Sequence, residues 1–119
     1  MIHHAAVEAG DLERSGRFYD AVLGALGWRR QLENERVIAW GIVRPVFYVT
    51  NGSPGGGSGH VCFSASGIPA VKGAFEGGMA HGGRDQGSPG PRPEYGASYY
   101  SAFMLDPDGN RIEVAVDNS

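Results

Sequence analysis

The chain repeats itself. His4–Gly27 reads HAAVEAGDLERSGRFYDAVLGALG, and His60–Gly83, 56 residues further on, reads HVCFSASGIPAVKGAFEGGMAHGG. In this register His4 meets His60, Val7 meets Phe63, Ala9 meets Ala65, Leu12 meets Ile68, Tyr19 meets Phe75 and Gly27 meets Gly83. Identities are few, but the pattern coincides: a short strand, a turn, then an amphipathic helix. A unit with one apolar face cannot bury it alone, so a duplicated unit folds by packing against its copy.

The spacing predicts the elements. Asp11 is a good N-cap, and Leu12, Phe18, Tyr19, Val22, Leu23 and Leu26 follow helical spacing, so a first helix runs to about Leu26. A second helix starts near Ile68, with Pro69 in its first turn and Val71, Ala74, Phe75 and Met79 as its apolar stripe. Each helix is followed by β-like runs: Arg30–Glu33, Val37–Ile42 and Val46–Thr50, then a short strand near Arg84, Tyr99–Leu105 and Arg111–Val116. The order is βαβββ twice. In DPDGN, Asp106–Asn110, Pro and Gly dictate a tight reversal, which makes the last two strands a hairpin. NGSPGGGSG, Asn51–Gly59, reads as a flexible linker, and Gln86–Ala97, rich in Gly and Pro, as a long irregular loop of the kind that often carries function. One domain over 1–119 is expected, with module 1 at about 1–50, the linker at 51–59 and module 2 at about 60–119.

Composition narrows the function. Gly supplies 20 of 119 residues, more than twice the typical ~7% share. Net charge is −3 without charge blocks, so neither a nucleic-acid footprint nor a polybasic membrane anchor is visible. Cys62 is the sole cysteine, which excludes an intrachain disulfide and a zinc ribbon. The first residues show no signal-peptide pattern, and the most apolar run, Val37–Val49, is broken by Arg44 and is too short to span a bilayer. A cytoplasmic protein without nucleic-acid or membrane partners is expected.

Strand alternation sorts the side chains. Ala5, Val7 and Ala9 pack on the first helix, while His4, Ala6 and Glu8 point away. Val61, Phe63 and Ala65 are core, while His60, Cys62 and Ser64 point away. Ile112, Val114 and Val116 are core, while Arg111, Glu113 and Ala115 point away, and Tyr99, Ser101 and Phe103 share that outer face. His4, His60 and Glu113 are therefore metal-competent groups on faces opposite their helices. Two imidazoles and a carboxylate suit a non-haem divalent ion, iron, manganese, zinc or nickel, with positions left open for substrate.

These residues resemble the vicinal oxygen chelate superfamily, which holds glyoxalase I, bleomycin-resistance proteins, extradiol dioxygenases and fosfomycin-resistance thiol transferases. The resemblance rests on His4 followed by Asp11-Leu12-Glu13-Arg14-Ser15, Phe18-Tyr19 and Leu23-Gly24, then on His60-Val61 and Asp106-Pro107-Asp108-Gly109-Asn110-Arg111-Ile112-Glu113. The middle segment, RDQGSPGPRPEYGASYYSAF, is similar to a glyoxalase-like bacterial subgroup. The resemblance implies an α+β fold of two βαβββ modules forming a cupped mixed sheet with helices outside. It places ligand positions at His4, Tyr48, His60 and Glu113, and it implies a homodimer, with the metal site in some members built from both chains. Tyr48 departs from glyoxalase I-like enzymes, which carry a carboxylate there. A neutral phenol is a poor ligand for zinc or nickel, which argues against lactoylglutathione lyase activity. Ala6 stands where the fosfomycin enzymes carry a hydroxyl residue.

The expected activity is that of a glyoxalase- or dioxygenase-like lyase, isomerase or dioxygenase. It would act on a small oxygenated substrate chelated to a divalent metal on His4, His60 and Glu113. Tyr48, Tyr99, Ser101 and Phe103 would line the pocket, Arg92 and Tyr95 would close over it, and Glu8 is a candidate general base. Cys62 is expected to be a small buried thiol beside the site. A metal-free binder of the bleomycin-resistance kind is the alternative, and a catalytically idle interaction protein is a third reading.

Overall fold

A computed structural model describes residues 2–52 and 60–117. The chain order is β1 (Ala5–Ala9), α1 (Leu12–Gly24), β2 (Arg29–Glu33), β3 (Val37–Gly41), β4 (Phe47–Asn51), β5 (His60–Ser64), α2 (Ile68–Ala80), β6 (Arg84–Pro91), β7 (Tyr99–Leu105) and β8 (Arg111–Asp117). This is βαβββ twice, as the repeat requires. The mixed sheet comes in two four-stranded halves, β1-β4-β3-β2 and β5-β8-β7-β6. In each half the first and last strands of the unit pair in parallel and the remaining pairs are antiparallel.

Both helices pack against the same core. Val7, Ala9, Phe47 and Val49 from the first half and Phe63, Ile112, Val114 and Val116 from the second belong to one apolar cluster, with Phe18, Tyr19, Val22 and Leu23 of α1 and Val71 and Ala74 of α2. Phe47 and Phe63 meet edge-to-face, with ring centroids 5.0 Å apart. The helices cross closely because the contact carries almost no side chain: a methyl group at Gly77 would stand 3.0 Å from the Ala21 Cβ and 3.2 Å from its carbonyl oxygen.

Helix α1 begins as expected, with the Asp11 carboxylate accepting from the Arg14 amide at 3.1 Å. It ends at Gly24, two residues before the expected Leu26. Gly27 takes φ +86, a left-handed value that suits glycine, and Trp28 N–H donates back to the Leu23 carbonyl at 3.0 Å, so the last turn tightens rather than continues. The Gly/Pro stretch after α2 also differs from expectation. Arg84–Pro91 is a strand paired to β7, and its register slips twice, between Asp85 and Gly87 and between Gly87 and Gly90. Bulges absorb the extra residues, and an edge strand tolerates proline because half its donors have no partner strand. Of the expected linker, Asn51 is the last residue of β4, and 53–59 lie outside the described residues.

The two most recognisable sequence motifs interlock. Asp106 is buried at the start of the β7–β8 turn. One of its oxygens accepts from the Asp108 and Asn110 amides at 2.9 Å each. The other accepts from Tyr19 Oη at 2.6 Å and from Asn110 Nδ2 at 2.9 Å. Asp108 reaches across to the start of α1, accepting from Gly10 N–H, from Arg14 at 2.9 Å and from Ser15 Oγ at 3.0 Å. Gly109 closes the turn at φ +88. The DLERS and DPDGN segments thus clasp one module to the other.

Candidate functional site

Strands β5, β7 and β8 turn one face away from the helices. Across that face Cys62 pairs with Glu113, Glu113 with Phe103, and His60 with Arg111. Directly paired residues share a side, so these groups converge. His60, Phe103, Arg111 and Glu113 line an open cavity of about 360 Å³ with Tyr95 and Tyr99, while Cys62 lines a neighbouring one.

Glu113 forms its floor and is only 6% exposed. Its Oε2 accepts from Tyr99 Oη at 2.8 Å. Its Oε1 stands 3.6 Å from His60 Nε2. That gap is long for a hydrogen bond. It is close to the separation of two donors that each sit ~2.1 Å from one ion. Partial desolvation, then the Glu113 carboxylate, push the Cys62 thiol up to about 11. Tyr99 is also held above its usual value, by desolvation and then by its bond to Glu113, and remains a donor. Cys62 itself is exposed, contrary to the buried thiol expected, on β5, which is the edge strand of its four-stranded half among the described residues.

Module 1 carries the same design. Tyr48 pairs with Ala6, the repeat counterpart of Cys62, so it occupies the place of Glu113. The His4 ring meets Tyr48 edge-on at 5.3 Å and stands 3.0 Å from His3, Nδ1 to Nδ1. His4 lines a separate cavity of about 230 Å³ with Ile2, His3, Ala5, Trp28, Val46, Phe47, Val61, Cys62 and Phe63. Each module therefore builds a pair, His4 with Tyr48 and His60 with Glu113. Among the described residues, no three His, Cys, Asp or Glu side chains gather around one ion position. One chain brings together two of the three expected ligands and places His4 elsewhere.

The other expected residues divide. Tyr95 and Tyr99 meet edge-on at 5.4 Å on the cavity wall, and Phe103 lies opposite Glu113. Arg92 sits behind Phe103, its Cζ 5.5 Å from the ring centroid, and donates to the Gly87 and Ser88 carbonyls. The β6 bulge thus holds it rather than freeing it as a lid. Ser101 is fully buried, its hydroxyl has no partner among the described residues, and it does not line the cavity. Glu8 is exposed at the far end of β1, with its carboxylate over Gly52, and does not reach the cavity. Arg111 is the residue the sequence reading missed. The signal was its place two residues before Glu113 on the same strand face.

The family model described as Glyoxalase/Bleomycin resistance protein/Dioxygenase superfamily matches residues 1–114. Among solved structures, a glyoxalase/bleomycin resistance protein from Albidiferax ferrireducens is 31% identical over 96% of both chains, with a TM-score of 0.83. A lactoylglutathione lyase from Agrobacterium tumefaciens is 22% identical, covering 95% of this chain and 91% of its own, at a TM-score of 0.68. A glyoxalase/bleomycin resistance protein/dioxygenase family enzyme from Burkholderia phytofirmans is 14% identical over 98% of both chains, at 0.74. These last two likenesses concern the fold. No curated protein matches the chain.

Proposed function

Because this chain belongs to the glyoxalase/bleomycin resistance protein/dioxygenase superfamily, we propose that it is a metal-dependent enzyme acting on a small oxygenated substrate in the β5–β7–β8 cavity. The observation that carries this reading is the buried Glu113 carboxylate held by Tyr99, with one oxygen left 3.6 Å from the His60 imidazole. The donor chemistry fits a divalent ion, but the described residues of one chain bring only two such donors together. The third would be His4 of a partner subunit, in a homodimer that joins the half-sites. Exposed apolar residues support a second copy. Ile2 beside the His4 cavity and the Ile42–Val43 turn in the adjoining groove leave apolar side chains in solvent, and Trp28 and Val46 line both depressions.

A bound divalent ion would act as a Lewis acid on substrate oxygens. The protein's own groups do the rest. Tyr99 Oη fixes the Glu113 carboxylate through its 2.8 Å bond. Tyr95 and Phe103 shield the cavity with aromatic surface. Tyr48, a phenol where glyoxalase I-like enzymes carry a carboxylate, sets this chain apart from lactoylglutathione lyases.

The absence of a three-donor group within the described residues of one chain favours a second reading, a metal-free binder between aromatic walls. Elemental analysis of untagged protein and of a His60→Ala variant separates them. The enzyme reading expects about one transition-metal ion per chain, lost in the variant. No metal after reconstitution, with stabilisation by small aromatic ligands, would establish the binder instead.

A further inference from the structure

The cavity carries a cationic group that a metal site does not need. Arg111 opens β8 on the same face as Glu113, and its Cζ lies 4.7 Å from the centroid of Phe103. Phe103 is itself buried and lies beside the His60 ring at 6.5 Å, nearly parallel at 29°. The guanidinium is therefore anchored over an aromatic face at the cavity edge. Among the described residues no carboxylate pairs with it. The other charged residue of the cavity, Glu113, is turned toward Tyr99 and His60. This positive rim stands in a chain whose net charge is −3, so the whole-molecule field does not account for it.

The remaining walls are flat and aromatic. Tyr95 is 60% exposed beside Tyr99, and the half-exposed His60 ring lines the cavity with them. A guanidinium fork matches a carboxylate in shape and charge, and ring faces match a planar apolar body. At about 360 Å³ the space admits a small molecule only.

We infer that this cavity selects a small planar carboxylic acid, its carboxylate paired with Arg111 and its flat body against the Tyr95 and Tyr99 rings. The inference rests on the reading of this cavity as the substrate site and names the class of substrate. It assigns Arg111 as the specificity-determining residue, with Tyr95 as an aromatic wall. The Arg111 fork, not the His60–Glu113 pair, takes the carboxylate.

Titration calorimetry tests this with benzoate, its neutral isostere benzamide, and acetate, which lacks the ring. Wild type, Arg111→Gln and Tyr95→Ala are compared as untagged, metal-analysed protein, both as purified and after chelator treatment. Arg111 and Tyr95 are exposed, and thermal melts verify that both variants fold. Benzoate is expected to bind about tenfold or more tighter than benzamide in wild type, to lose that preference in Arg111→Gln, and to weaken with salt. Tyr95→Ala is expected to weaken benzoate and benzamide alike, and acetate is expected to bind more weakly than benzoate.

Equal binding of benzoate and benzamide, unchanged benzoate binding in Arg111→Gln, or no binding of any probe would overturn the inference. Benzoate binding that vanishes on chelation but is indifferent to Arg111→Gln would place the carboxylate on the metal, overturning the inference while supporting the metal enzyme. Arg111-dependent binding in protein that never holds metal would leave the inference standing and remove the metal reading.

Discussion

Glu113 is buried as a strand residue flanked by Ile112 and Val114, and burying a carboxylate is costly unless its oxygens are engaged. Tyr99 engages one of them and so sets which way the other points. Tyr99→Phe keeps the ring and removes the donor. Metal affinity is expected to fall by about ten- to hundredfold, as for other orienting partners of a ligand, read by competition with a chromogenic chelator. Tyr19 plays the corresponding structural part at the other carboxylate, Asp106. Burial, and then the Asp106 charge, hold the Tyr19 phenol well above its usual value of 10. The folded state therefore keeps a proton that the unfolded chain gives up. Below pH 10 both states hold it, and above pH 10 stability falls as pH rises. Tyr19→Phe is expected to cost about 1–3 kcal/mol at neutral pH, because a buried acceptor loses its donor. The variant should also lose part of the alkaline decline, measured by urea unfolding on either side of pH 10. His60 and Glu113 were legible because alternation puts them on one face of adjoining strands. Ser101 was misjudged by the same rule, which gives a side chain's face but not how deeply neighbouring strands cover it.

The helices show how little side chain a contact needs. Gly77 of α2 meets Ala21 of α1 so closely that an added β-carbon would stand only 3.0 Å from the Ala21 Cβ, leaving no room for a branched side chain. Gly77→Val is expected to destabilise by about 1–3 kcal/mol, seen as a lowered thermal midpoint, with the cavity residues themselves untouched. Both helix starts could be read from sequence, because Asp11 and Pro69 are local signals. Strand β6 could be read only at its start, near Arg84, and not through Pro91. Its residues, RDQGSPGP, carry turn chemistry, and they are held in a strand by β7 and by bulges that only the partner's register defines. Asp85 helps, accepting from the Gly87 amide at 2.8 Å and from Ser88 Oγ at 2.7 Å. Arg92 follows from the same cause: once β6 continues to Pro91, Arg92 is tied to the strand and not to a free loop.

At the scale of the molecule, duplication made the architecture readable, and the motif pair DLERS and DPDGN marks where the modules clasp rather than where chemistry occurs. The repeat also set a limit. It predicts one histidine per module at equivalent places, His4 and His60, but not whether the two faces meet within a chain. They line separate cavities, and we propose that the ligand set is completed between two copies. Complementation tests this most directly. His4→Ala and His60→Ala are each expected to hold no metal. In a hybrid dimer of the two, one shared site lacks both histidines and the other is intact. Equal mixing with random subunit exchange should therefore restore about a quarter of the wild-type metal content, by elemental analysis of the mixture. No metal regained on mixing, or full metal retained by His4→Ala alone, would contradict a site shared between chains.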